Sequence, residues 1–247
     1  MRVLIDVLGA RTGEVAVEDL VSLYRPATTP WLRVNMLSSL DGAATGGDGR
    51  SGSLNNEPDH AVFDAVRALA DVIVVGAGTA RAEGYRPTDR PLVVVSRRGH
   101  VPERLREAPA GSVLLATSAS SPGLEEARGL LGGEQVLVHG EDEVDLAALR
   151  EALVDRGWTS ILAEGGPHLL RDLLGAGVVD EVCVSLVPRI VGGISARIVT
   201  GADIDVPLDL LLLLEHDGTL LTRWSVETAG RTSGQESRSR ASSELAR

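Results

Sequence analysis

The sequence predicts an α/β fold: a mostly parallel central sheet flanked by helices, with an antiparallel hairpin near the C-terminal end. Three observations lead there. Apolar strand-like runs alternate with segments of helical spacing along most of the 247 residues. Several runs, among them "DVIVVG", "PLVVV" and "EVCVSLV", are apolar throughout, as strands buried on both faces are. Asp217-Gly218 stands between two apolar runs, a dipeptide that tight hairpin turns favour.

The elements follow in order. A short strand over 2–8 and a helix over 15–24 form an N-terminal extension, 1–30, that "RPATTP" joins to a strand over 31–37. The loop over 38–56, "SSLDGAATGGDGRSGSLNN", is long and rich in glycine and serine, the mark of a functional or mobile segment and a candidate lid. Asn56 suits the cap of a helix reaching 69, with Pro58 in its first turn. "DVIVVGAGTARAEG" reads as a buried strand, a glycine turn and a short helix. Strands then fall at "PLVVV", 112–117, 135–139 and 159–164, with helices over 123–131, 144–156 and 167–174. "DEVCVSLVPRIVGG" is a strand and a glycine-rich turn, and 208–216 with 220–228 make the hairpin. A single domain therefore spans 1–228, and the polar stretch 229–247 is expected to be a disordered tail.

Composition narrows the function. A net charge of −11 and 2% aromatic residues leave neither a basic stripe nor a stacking platform, so no nucleic-acid partner is expected. The one cysteine, Cys183, sits in an apolar run and reads as core. The five histidines are scattered without metal-ligand spacing, so no metal is expected. The longest leucine run is too short to span a bilayer and the N-terminus lacks a signal-peptide layout; a cytoplasmic protein is expected. All 24 basic residues are arginine, which excludes a Schiff-base lysine, a lysine general base and a P-loop lysine. Neither His-Glu-x-x-His nor Gly-x-Ser-x-Gly occurs.

In open α/β sheets ligands bind beyond the carboxyl ends of the strands. Four such ends carry polar or glycine-rich loops, at 35–42, 76–79, 96–98 and 164–168. "GAGTARAEG" is no dinucleotide fingerprint, because Arg81 stands where a third small residue belongs. Gly76 and Gly78 still let backbone amides approach a ligand, and Thr79 opens a helix whose start favours anions. A plain strand-to-helix turn would use the same residues. Beyond "VVV", Ser96 precedes Arg97 and Arg98, a pair able to grip a ribose 2′-phosphate or simply to form a solvated turn. Asn35, Ser39 and Asp41 gather before Gly42. In "ILAEGGPHLL", Glu164 ends a strand, and Gly165 and Gly166 lead into a helix with Pro167 in its first turn. Amides there suit a pyrophosphate, while His168 reads as a helix-surface residue.

In order and spacing, "NMLSSLDGAAT", "DVIVVGAGTARAEG", "VVVSRRG" and "ILAEGGPHLL...DEVCVSLVPRIVGG" resemble the riboflavin-biosynthesis pyrimidine reductase family over about residues 31–227. This is the reductase half of the bifunctional riboflavin deaminase/reductase, in its stand-alone actinobacterial form. The resemblance implies a dihydrofolate-reductase-like fold, NADPH as cofactor, and reduction of a ribosylamino-pyrimidine to its ribityl form. It also implies a homodimer, with the 208–228 hairpin a candidate for burial between subunits. Carried onto this chain, it puts Glu164, Asn35 and Asp41 at the catalytic centre, and Ser51, Arg67 and Glu164 on the substrate. It assigns to the cofactor Gly76, Gly78, Thr79, Glu83, Ser96 and Arg97, together with Gly165, Gly166, Pro167, His168 and Leu169. Three departures stand out. The deaminase half and its zinc signature are missing, and Asn35 replaces a lysine common in bacterial members. "AEGYRPTDRP" stands where the family's usual "ADDP...R" holds substrate phosphate, leaving Arg86 or Arg90 to substitute. These keep open a same-fold reductase of a pterin, dihydrofolate or secondary-metabolite imine, and a non-catalytic nucleotide-binding module.

Overall fold

The computed structural model describes residues 1–227. The expected tail at 229–247, and the domain boundary at 228, lie outside the described residues. Within them the chain forms one 11-stranded sheet. The N-terminal segment supplies β1 (Arg2–Asp6) and β2 (Gly13–Glu14). The central strands are β3 (Trp31–Ser39), β4 (Val72–Gly76), β5 (Leu92–Val95), β6 (Val113–Thr117), β7 (Val136–Val138), β8 (Ser160–Ala163) and β9 (Glu181–Val187). β3 to β9 all run parallel to one another. β10 (Leu208–His216) and β11 (Thr219–Val226) pair antiparallel across a turn in which Asp217 and Gly218 both have positive φ, as the Asp-Gly pair predicts. The order is β2-β1-β10-β11-β9-β3-β8-β4-β5-β6-β7. The expected α/β fold, mostly parallel with antiparallel C-terminal strands, is the one observed.

Helices cover both faces. Side chains alternate along each strand, so Ile161, Ala163, Val72 and Val74 share one face with Leu32, Val34 and Met36. α5 (Leu146–Asp155) and α6 (Pro167–Gly175) pack there through Leu146, Leu149, Leu153, Leu169, Leu170 and Leu173. Leu162 and Ile73, register partners in β8 and β4, face the other way. That side is covered by α1 (Leu20–Leu23), α2 (Glu57–Ala68), α3 (Ala77–Ala82) and α4 (Leu124–Leu131).

One expectation is corrected: the helix over 15–24 shrinks to a 3-10 turn, Val17–Asp19, and the single turn of α1. The extension is part of the sheet: β1 pairs with β10, and Leu20 and Tyr24 are fully buried against α2 and β11. The C-terminal hairpin consequently lies inside the sheet, between β1 and β9.

A buried charge cluster fastens the extension. Glu181 accepts hydrogen bonds from Arg33 Nε at 2.5 Å and from Arg223 Nη2 at 2.7 Å, and all three side chains are almost wholly buried. The two guanidinium groups also donate to the carbonyls of Tyr24 and Leu23. Burial alone would raise the Glu181 pKa, but the charges of Arg33 and Arg223 outweigh it and hold the carboxyl below its ordinary value. Removing one partner strands the others without compensation, so Glu181→Gln is expected to cost about 3–5 kcal/mol in urea unfolding. The depressed value stabilises the fold at pH above the ordinary carboxylate range. Wild-type stability should fall as pH drops below about 4.3 and through the lower folded value, more steeply than that of Glu181→Gln. Equal stability at neutral pH would contradict this role.

Candidate active site

Strand alternation selects the site residues. Asn35 lies between Val34 and Met36, which face α5 and α6, so Asn35 points to the side that α2 covers. Glu164 follows Ala163 and turns the same way. The Asn56 side chain accepts the Asp59 amide at 3.2 Å and starts α2, as expected of a cap. Asp59, Phe63 and Arg67 then fall four residues apart on one helix face, above Asn35 and Glu164.

Glu164 is the most heavily bonded group of the site. Arg67 donates through Nε to Oε1 at 2.5 Å and through Nη2 to Oε2 at 2.7 Å. The Tyr85 hydroxyl donates to Oε2 at 2.6 Å. The Arg67 guanidinium lies 4.2 Å from the centre of the Phe63 ring, and the Glu164 side chain is 3% exposed. Burial works against the charged form of Arg67, but the hydrogen bond and charge of Glu164 more than offset it and raise its pKa. Burial and then the Glu164 charge push the Tyr85 phenol well above its ordinary value, so Tyr85 stays protonated.

Beside this group opens a cleft of about 130 Å3, lined by Asn35, Met36, Leu37, Ala44, Thr45, Ser51, Asn55, Asp59, Phe63, Thr79, Glu83, Tyr85, Glu164, Gly166 and Pro167. The Ser51 amide donates to Glu83 Oε1 at 2.7 Å. Asp59 is 4% exposed, Asn35 8%, and each has an Oδ1 without a hydrogen-bond partner. Burial raises the Asp59 pKa, against the opposing effects of a Ser185 hydrogen bond and the His60 charge.

The junction between β8 and α6 is built on close contact. Gly165 has φ +76°, and a Cβ there would sit 2.5 Å from Met36 Sδ. A Cβ on Gly166 would collide with Thr79 Oγ1. The Gly76 amide donates to the Gly165 carbonyl at 2.9 Å, tying the two strand ends together. Gly166 caps α6 without a side-chain acceptor, so the first amides of the helix have no capping group. A second cavity, of about 500 Å3, has Val95, Arg97, Glu143, Leu169, Arg171 and Asp172 in its wall.

The structure brings together many of the residues singled out in the sequence. Asn35, Ser51, Thr79, Glu83, Glu164, Gly166 and Pro167 line the cleft, with Arg67 bonded to Glu164, and Arg97 and Leu169 line the second cavity. Asp41, Gly76, Gly78, Ser96, Gly165 and His168 line neither. Asp41 is instead a loop clamp. It accepts from Ser39 Oγ at 2.6 Å and from the amides of Val191 and Gly192 at 3.1 and 2.7 Å, and these bonds, led by Ser39, lower its pKa to about 2. The 38–56 segment, expected as a lid, is a pinned wall: β3 runs on to Ser39, Ala44 bonds Ala196, and Arg189 donates to the Ser53 carbonyl. Ser96 is buried with its amide bonded to Ala116, and His168 is exposed, as its helix-surface reading has it. Arg86 and Arg90 line neither cavity. Sequence reasoning missed Tyr85, Asp59 and Phe63. The four-residue ladder 59-63-67 was a usable signal for two of them, and the "GYRP" departure marked the third.

Comparison with known proteins adds to this geometry. The profile of the RibD C-terminal domain matches residues 30–219. The chain is 34% identical over 199 residues to the 2,5-diamino-6-ribosylamino-4(3H)-pyrimidinone 5′-phosphate reductase of Methanothermobacter thermautotrophicus, covering 74% of this chain and 90% of that protein. It is 32% identical over 182 residues to the protein of the same name from Archaeoglobus fulgidus, covering 66% and 83%. Among solved structures, it is similar to a pyrimidine reductase-like protein from Corynebacterium diphtheriae, with a TM-score of 0.76 and 25% identity over 87% of this chain and all of that one.

Protein packing alone accounts for the glycine at 165. Gly165→Ala should destabilise the ligand-free protein by about 1–3 kcal/mol through backbone strain and the Met36 contact. A thermal midpoint unchanged from wild type would show that the position tolerates a side chain.

Proposed function

Because the chain belongs to the RibD C-terminal domain family, we propose that it is an NADPH-dependent reductase that converts a ribosylamino-pyrimidine 5′-phosphate to its ribityl form. The observation that carries this reading is the Glu164–Arg67–Tyr85 group in the wall of a cleft beside the uncapped start of α6.

The residues present fit a dinucleotide. Gly166 and Pro167 line the cleft, while Leu169 and Asp172 of the same helix line the second cavity, so a two-part ligand bridging them passes the free amides of α6. Those amides suit a pyrophosphate, and Arg97 in the second cavity suits a ribose phosphate. NADPH, when bound, supplies a hydride. The protein supplies orientation and electrostatics. Ring opening breaks the C1′–O4′ bond as the amine proton passes to O4′; the open imine then takes the hydride at C1′ and a proton from solvent at nitrogen, and in its protonated form it carries positive charge on nitrogen before the hydride arrives. Glu164 places a fixed negative charge nearby, and its two oxygens are already held by three hydrogen bonds. It therefore acts by charge and position, not as a free base. Met36, Leu37 and Phe63 give the cleft an apolar wall that limits water.

A second reading, a pterin or another imine without a phosphate, draws on the cleft's charges. Its lining includes Asp59, Glu83 and Glu164 but no arginine; Arg86 is exposed, and Arg90 Nε lies 3.9 Å from Asp89. The test follows NADPH oxidation with 2,5-diamino-6-ribosylamino-4(3H)-pyrimidinone 5′-phosphate and with a pterin. Oxidation with the pyrimidine is expected, and Glu164→Gln should lower kcat by about 10²–10³ while leaving NADPH affinity intact. Oxidation with the pterin alone would replace the first reading with the second. Absence of NADPH binding by the wild type would remove both.

A further inference from the structure

We infer that Tyr85 is a positioning residue for the reduction: its hydroxyl occupies Oε2 of Glu164 and leaves Oε1 as the acceptor that the carboxylate offers to the substrate. This rests on the pyrimidine-reductase reading above and gives a role to the "AEGYRPTDRP" segment that the sequence set apart.

A carboxylate has about four lone-pair positions. Arg67 takes one on each oxygen of Glu164, through Nε on Oε1 at 2.5 Å and through Nη2 on Oε2 at 2.7 Å. The arginine alone therefore treats the two oxygens alike. Tyr85 breaks that symmetry by donating to Oε2 at 2.6 Å. Oε2 then has two donors, while Oε1 accepts from Arg67 alone among the described residues. Glu164 lines the cleft, so a ligand N–H meets the carboxylate at Oε1. The N–H of the protonated imine suits that position. One fixed acceptor holds this nitrogen, and with it the neighbouring carbon, in a single place for the hydride.

The backbone delivers the hydroxyl by a helix stop. Gly84 follows the last turn of α3 at φ +70°, and the Tyr85 amide donates back to the Ala80 carbonyl at 2.9 Å, the six-to-one bond of a Schellman motif. The same turn holds the 38–56 wall, because Glu83 accepts the Ser51 amide. The phenol stays a donor: burial first, and then the Glu164 charge, push its pKa well above the ordinary value. It gives Glu164 a hydrogen bond and no proton. A second arginine in its place would cancel the negative charge that the imine nitrogen needs, whereas a hydroxyl fixes the carboxylate and leaves its charge.

Tyr85→Phe removes the hydroxyl and keeps the ring. With 2,5-diamino-6-ribosylamino-4(3H)-pyrimidinone 5′-phosphate, kcat is expected to fall about tenfold or more, while KM and NADPH affinity stay within about twofold. Because Tyr85 acts through Glu164, the loss should vanish where Glu164 is absent: Tyr85→Phe with Glu164→Ala should match Glu164→Ala alone within about twofold. An unchanged kcat in Tyr85→Phe, a loss confined to KM, or the same loss in both backgrounds would overturn the inference. If Tyr85→Phe fails to fold, or if the pyrimidine is not reduced and the reductase reading fails, ultraviolet titration of the phenols decides the pairing separately. The chain has two tyrosines. In Glu164→Gln one phenolate should form at lower pH than in the wild type, since the charge that opposes it is gone. Identical titrations would overturn the inference.

Discussion

Seven neighbouring strands that run in the same direction put seven carboxyl ends on one edge of the sheet. Everything in the site follows from that polarity. Asn35 leaves β3 there, Glu164 follows β8, and Thr79 follows β4. α6 begins at the same edge, so its unpaired amides face the space that the strand ends define. The Gly76 amide and the Gly165 carbonyl tie β4 to β8, and Met36 and Thr79 leave no room for a side chain at Gly165 and Gly166. Polarity chooses the edge, and the glycines allow the chain to turn there.

The second organising feature is a polar stripe beneath α1 and α2. Arg33 and Asn35 of β3 and Glu181, Cys183 and Ser185 of β9 all point that way by alternation, paired in register across the two strands. At one end Glu181 is held between Arg33 and Arg223, whose guanidinium groups also donate to the carbonyls of Tyr24 and Leu23 and so anchor the N-terminal segment. At the other it reaches Asn35 and Asp59, where acceptors are left open. A stripe of buried polar groups is costly wherever it is incomplete. The ion-paired half holds the fold, and the half with open acceptors lines the cleft.

Much of this was legible in the sequence. The continuous apolar runs, the Asn56 cap and the Asp-Gly turn each act through local chemistry, and each lies where its pattern put it. Glu164 was legible because an acid ending a buried strand is unusual. What the residues could not disclose depends on partners distant in the chain. Nothing near Glu164 indicates that both its oxygens are taken by Arg67 and Tyr85, 97 and 79 residues away. Asp41 beside Gly42 looked like chemistry, and only the fold shows the Val191 and Gly192 amides that occupy it. Asp59 stands in the first turn of α2, where helix starts favour acids, and its burial beside Ser185 comes from tertiary packing. Where the N-terminal extension packs was hidden for the same reason: β1 finds its partner more than two hundred residues later, in β10.

These features describe a protein that fixes charge and shape around a reaction and leaves the reducing equivalent to a bound cofactor. The most direct measurement uses NADPH carrying deuterium at both C4 positions, with 2,5-diamino-6-ribosylamino-4(3H)-pyrimidinone 5′-phosphate, and reads the product by mass spectrometry. The expected result is a ribityl compound heavier by one deuterium on the former anomeric carbon. NADPH oxidised with no label in any pyrimidine product, or no reduction at all by well-folded protein, would contradict the account.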